Sequence, residues 1–245
     1  MKKLSLALLI FSLNVVTVKA QVWFDLGIKG GVGSGFLLNK TFNDDGRFNI
    51  SPGFNYFVGG KVGINFGELV GITCDVDYGS YSYGFLQSEV PNKSNTETFK
   101  YNIAYKAINV APMFRYTKET SYLELGPQFS FLRGQSIEDA ANPSTAPDGE
   151  IAITNNLTGI IFGFGGHMVG NEKISLMAGL RFNYVFSNLT ADDYSDTNFP
   201  FTNYPSISSS TKTSPINMQL VLELNYSLGY FVRASCGKRT AFLTF

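Results

Sequence analysis

Cysteine, histidine and tryptophan are nearly missing from this chain of 245 residues, which has two, one and one of them. Cys74 and Cys236 make no disulfide framework, and a single histidine without a Cys-x-x-Cys leaves no zinc-ligand spacing. An excess of charge is lacking too. With 19 basic and 19 acidic side chains and 16% charged residues, the composition excludes a basic nucleic-acid surface and a disordered acidic chain. No linker separates two hydrophobic patterns, so one domain is expected. In abundance are aromatics, 15% of the chain, and 25 glycines. For this length they suggest β structure.

The first residues read as a leader. Lys2 and Lys3 precede an apolar stretch from Leu4 to Val16, and Val18-Lys19-Ala20 has the small-residue spacing that a signal peptidase reads. The stretch is short and broken by Ser5, Ser12 and Asn14, so a transmembrane helix is not expected. Residues 1–20 are read as a signal peptide and Gln21 as the mature start, with no Cys there for a lipid anchor. Removing the leader's three lysines leaves 16 basic against 19 acidic residues, a charge of −3.

The dominant signal has period two. Ile216, Met218, Leu220, Leu222, Leu224, Tyr226, Leu228 and Tyr230 alternate with Asn217, Gln219, Glu223, Asn225 and Ser227, and Lys173–Ser187 repeats the pattern. Similar segments at Val22–Gly33, Phe54–Phe66, Leu69–Tyr81, Tyr101–Tyr116, Ser121–Arg133 and Leu157–Gly170 predict eight strands. In the fourth the phase is clean only from Ile108 to Tyr116, so a bulge or an extramembrane upper half is expected. Connections alternate between tight (Gly67-Glu68, Thr117–Thr120, Gly170–Glu172) and long and polar (Ser34–Gly53, Ser82–Lys100, Gly134–Asn156, Asn188–Pro215).

Long alternating strands with short turns at one end and long loops at the other predict an all-β, eight-stranded antiparallel up-and-down transmembrane β-barrel, with short periplasmic turns and long extracellular loops. Tyr116, Tyr122, Phe66, Tyr230 and Phe231 are expected in a turn-side aromatic girdle, and Phe54, Tyr78, Phe129, Phe131, Tyr184 and Phe186 in a loop-side one. A soluble ligand-binding barrel would turn the apolar face inward. Glycines on the polar face (Gly27, Gly31, Gly59, Gly63, Gly71, Gly79, Gly163, Gly165, Gly179) instead suit a crowded, narrow lumen.

From Phe24 to Phe231 the chain resembles the PorT-like outer-membrane β-barrel family of Bacteroidetes. The resemblance rests on Phe24–Gly31, Ile108–Tyr116, Tyr122–Pro127 and Leu224–Phe231. It implies a bacterial outer-membrane barrel in contact with outer-membrane lipid, assembled by the barrel-assembly machinery, with some relatives serving secretion. Members usually stop near an aromatic such as Phe231, whereas this chain continues. The expected layout is a barrel domain over 21–231 and a periplasmic tail over 232–245, the other reading being that Arg239–Phe245 forms a further strand.

Site signals are weak. The glycines from Gly27 to Gly35 lack the Lys-Ser/Thr of a phosphate loop, the acidic turns at Asp44-Asp45 and Asp192-Asp193 lack a full Ca²⁺ ligand spacing, and no cofactor is expected. His167 is the strongest catalytic candidate by residue type, but it is expected as a hydrogen-bonded lumen residue near the periplasmic end. Inward charges are expected to pair: Arg181 and Lys29 with Glu223, Lys61 with Asp75 and Asp77, and Arg115 diagonally with Glu124. Such a network would plug the lumen. Function is therefore expected in the exposed segments, above all the fourth loop with Tyr194, Phe199, Phe201 and Tyr204. There or on the periplasmic face, another component such as a secretion or surface complex would be bound without enzymatic chemistry. The other readings are a barrel enzyme acting on outer-membrane lipid or on peptides, and a small pore.

Overall fold

A computed structural model describes residues 22–40, 48–67, 69–88, 98–139, 152–171, 173–191 and 212–232. The leader, the fourth-loop aromatics Tyr194, Phe199, Phe201 and Tyr204, and the tail beyond Val232 lie outside them. The strands are β1 (Val22–Leu38), β2 (Phe48–Ser51), β3 (Gly53–Phe66), β4 (Val70–Ser88), β5 (Thr98–Lys118), β6 (Ser121–Asp139), β7 (Asn156–Gly170), β8 (Ile174–Val185) and β9 (Ser214–Val232). All pairings are antiparallel; β1 pairs with β3, β3 to β9 each pair with the next in the chain, and β1 pairs with β9 to close a ring of eight. Closure matters because strand edges cannot be hydrated inside a bilayer. Short β2 is not in the ring. It pairs with Gly84–Gln87, where β4 has outrun β3.

Alternation sorts the two faces. Outward positions of β9, Met218, Leu220, Leu222, Leu224 and Tyr226, are all exposed apolar residues, and Glu223 and Asn225 between them are buried. Each ring strand has the same division, so the apolar face points to lipid and the lumen is filled by side chains, as expected for eight strands. Phe66 and Tyr116 flank the turn end, while Phe54, Tyr78, Phe129, Phe131, Tyr184 and Phe186 are exposed toward the loops. Tyr122 is the exception. It lies in the lumen, where its ring takes the Arg115 guanidinium 4.5 Å from its centroid.

Two of the three tight turns use a left-handed residue, Gly67 (φ 71°) and Glu119 (φ 54°). In the third, the Asn171 carboxamide oxygen accepts hydrogen bonds from the backbone N–H of Lys173 and Ile174, both at 2.9 Å. At the other end the strands run well past their expected limits, to Leu38 in β1, Ser88 in β4 and Asp139 in β6, so the loops are shorter than their polar composition suggested. The irregularity expected in the fourth strand is real but sits across from it. β5 alternates without a break, whereas Gly134 and Gln135 of β6 together oppose Tyr105, with Gly134 at φ 56°. This is a glycine bulge, and it reverses the phase of β6 above Arg133.

Candidate functional site

The lumen has two halves of opposite chemistry. Toward the turns lie nine buried charged residues, the acids Asp25, Asp75, Asp77, Glu124 and Glu223 with the bases Lys29, Lys61, Arg115 and Arg181. Glu223 is the hub. Its two oxygens take the Arg115 Nη1 and Nη2 at 2.7 Å each, a bidentate pair, and it also binds Lys61 at 2.7 Å and Lys29 at 3.0 Å. Around it, Lys61 reaches Asp25 at 2.8 Å, Arg115 reaches Glu124 at 2.9 Å, and Lys29 reaches Asp75 at 2.6 Å. Arg181 holds Asp75 at 2.5 Å and Glu124 at 3.1 Å, with Asp77 at 3.9 Å. Buried ions are tolerable only when so paired, because each leaves its hydration behind.

Glycine makes room for them. A Cβ at Gly63 would collide with the Asp25 carboxylate, and one at Gly163 would stand 2.6 Å from Glu124 Cγ. Small residues on one strand thus let long charged ones cross from the next. The narrow bore does the rest.

The pairing differs from the expected one in detail. Lys29 does bind Glu223, its direct cross-strand partner. Arg181 is not bound to Glu223; it lies opposite Gln219 and turns to the acids of β4 and β6. Lys61 lies opposite Asp75 but bonds instead to Asp25 and Glu223, and Arg115 stands directly opposite Glu124 rather than diagonal to it. Asp25 is a member that the sequence reading left out. Long side chains in a narrow tube reach across it, so neighbours in register need not be partners.

Above the charges comes a layer of amides. Asn109 donates to Asp77 at 2.6 Å and to the Tyr81 hydroxyl at 2.8 Å, Gln128 donates to Asn109 at 3.1 Å, and Asn183 donates to Gln128. Aromatics then fill the loop end. The Tyr83 and Tyr105 hydroxyls are 3.0 Å apart, Tyr83 donates to Asn217 at 2.8 Å, and Phe85 and Tyr101 stack with centroids 4.7 Å apart. Leu37, Ile103, Leu132, Leu157 and Val185 pack among the rings. Phe48 of β2, with Ile153 and Leu189 beside an Ile153–Thr190 bridge, covers them from above.

The turn end is more open. A cavity of about 120 Å³ there is lined by Trp23, Asp25, Asn65, Arg115, Met177, Asn225 and neighbouring residues. His167, expected as a bonded lumen residue, is exposed at this rim just before a register shift of β7, and its backbone N–H donates to Thr120 O at 2.7 Å. No group of three His, Cys, Asp or Glu side chains arranged to hold a metal occurs among the described residues.

The profile of the outer membrane protein beta-barrel domain matches residues 20–146, more than half of the chain. The chain belongs to that family. It is an outer-membrane β-barrel protein, and as such a barrel its turns face the periplasm and its loops the exterior. Solved structures to which this barrel is similar include Neisserial surface protein A, at 11% identity over 82% of this chain and 96% of that one, TM-score 0.41. OprG from Pseudomonas aeruginosa is 11% identical over 85% and 96%, TM-score 0.42. Ail, the attachment invasion locus protein of Yersinia pestis, is 12% identical over 82% and 98%, TM-score 0.34. No curated protein matches the chain.

Proposed function

We propose that this barrel is a non-enzymatic outer-membrane anchor with a closed lumen, which presents its loops or its periplasmic face to another component of the envelope. One observation carries the reading: each of the nine buried lumen ions is in an ion pair with another, and rings and aliphatic side chains fill the space above them. A small pore needs a continuous polar path, and the filled loop-side half favours the closed reading over it. The resemblance to PorT-like barrels makes a secretion or surface complex the finer form of the proposal. Within it, the fourth loop with Tyr194, Phe199, Phe201 and Tyr204 is the favoured contact, since aromatics in a polar segment anchor partners efficiently.

Two measurements test this. Planar-bilayer recording of the refolded chain is expected to show no stable channel of porin size, and steady large conductance would overturn the closed lumen. Crosslinking in native membranes is expected to recover a partner that is lost on deleting Asp192–Ser210, with heat-modifiable migration intact. A partner that survives the deletion moves the contact to the periplasmic face.

A further inference from the structure

One register row on the outside of the barrel differs from the rest. Ser80 of β4, Lys106 of β5 and Arg133 of β6 are direct cross-strand neighbours, and Lys106 and Arg133 are both exposed. Two like charges directly opposite each other on a sheet repel. Neither is in an ion pair among the described residues; the one hydrogen bond of the Arg133 guanidinium goes from Nη1 to Leu132 O at 2.8 Å. The bulge at Gly134 immediately above fixes the pair, since it ends the inward-outward phase that aims Arg133 outward.

Their height is informative. Twelve residues of β5 separate Lys106 from Lys118 at the turn, and at about 3.3 Å per residue and a tilt of about 40° this is a rise of about 30 Å. An outer-membrane barrel's apolar band is about 25 Å tall. The outward row just below confirms the boundary: Tyr78, Ile108 and Phe131 are aligned cross-strand and all exposed to lipid. Along the strands of the rest of the ring, the described loop-end outward positions are uncharged, apolar at Phe36, Phe54, Tyr184 and Met218 and polar at Ser34, Ser82, Asn156 and Thr158. Outward strand cations at that end, among the described residues, are confined to β5 and β6.

We propose that Lys106 and Arg133 form a lateral binding site for the phosphorylated headgroup of an outer-leaflet lipid, with the Ser80 hydroxyl as a further donor and the lipid's acyl chains on Tyr78, Ile108 and Phe131. A phosphate between the two cations turns their repulsion into two charge-assisted bonds, and guanidinium and ammonium are the usual phosphate donors. The apolar row below and the cationic row above match the two ends of such a lipid. One side of the barrel thereby gains a preferred lipid.

The test uses the refolded full-length mature chain in detergent micelles and native mass spectrometry, with lipid A bearing both phosphates and the same lipid with its phosphates removed as probes. The phosphorylated form is expected to be retained about tenfold better, and Lys106→Ala with Arg133→Ala to abolish that preference. Lys106→Arg should keep it, and Lys173→Ala at the turn end should leave it unchanged. Heat-modifiable migration verifies that each variant is folded. Equal retention of the two lipids, or an unaltered preference in the double variant, overturns the site. Loss of the lipid preference in millimolar inorganic phosphate, with phosphate itself bound equally well by the double variant and the unaltered chain, overturns it also.

Discussion

The two halves of the lumen solve the same problem in opposite ways. The turn-side half cancels ions against each other across the bore, around Glu223, while the loop-side half stacks rings and bonds a few hydroxyls to amides. The first is strong only while complete, because most of its ions rely on more than one other. The second loses stability in proportion to the surface removed. A tube can thus be filled by electrostatic cooperation at one end and by ordinary core packing at the other.

The largest expected difference comes from removing the hub. Glu223→Ala takes away the one acid that Lys29, Lys61 and Arg115 all share, three ion pairs at once, and should cost about 3–5 kcal/mol, measured by urea unfolding in lipid vesicles. A loss below about 1 kcal/mol would mean that water already hydrates the network. In the aromatic half, Tyr83→Phe removes the hydroxyl that joins Tyr105 and Asn217 and should cost only about 1–2 kcal/mol. If it equals Glu223→Ala, the contrast between the halves fails. Because the halves lie in series, neither variant is expected to conduct in planar bilayers; only Glu223→Ala combined with Tyr83→Ala should. At the small end, His167→Ala at the exposed rim should shift stability by no more than about 0.5 kcal/mol.

The same contrast decides how much was legible in the sequence. Where one face is charged and the other apolar, as in β9 around Glu223, period two is plain and the strand reads correctly. Where the faces exchange polarity, the period slips: Tyr101, Ile103 and Tyr105 face inward with Lys100, Asn102 and Lys106 outside, whereas Ile108 to Tyr116 put the apolar side out, so the upper part of β5 reads as out of phase although its alternation never breaks. Gly134 likewise reads as a strand end, whereas here it is a bulge within one. The inward charges of the lumen were legible by alternation, apart from Asp25, but their partners were not. Arg181 has the length to cross the tube to Asp75, and spacing along a chain says nothing about who stands on the opposite wall.

The seam between β1 and β9 also sets an order of events. The hub carboxylate arrives on the last strand to be made, while the cations it serves, Lys29, Lys61 and Arg115, come from β1, β3 and β5. Joining the two ends of a chain is the contact of highest sequence separation and the slowest to form. Before that moment these cations have other acids within reach, Asp75 and Glu124 for Lys29, Asp25 for Lys61 and Glu124 for Arg115, and afterwards they converge on a single residue. Closure and the tying of these three strands to one carboxylate are therefore one step, and a nascent barrel lacking its final strand holds its cations without the acid that all three share.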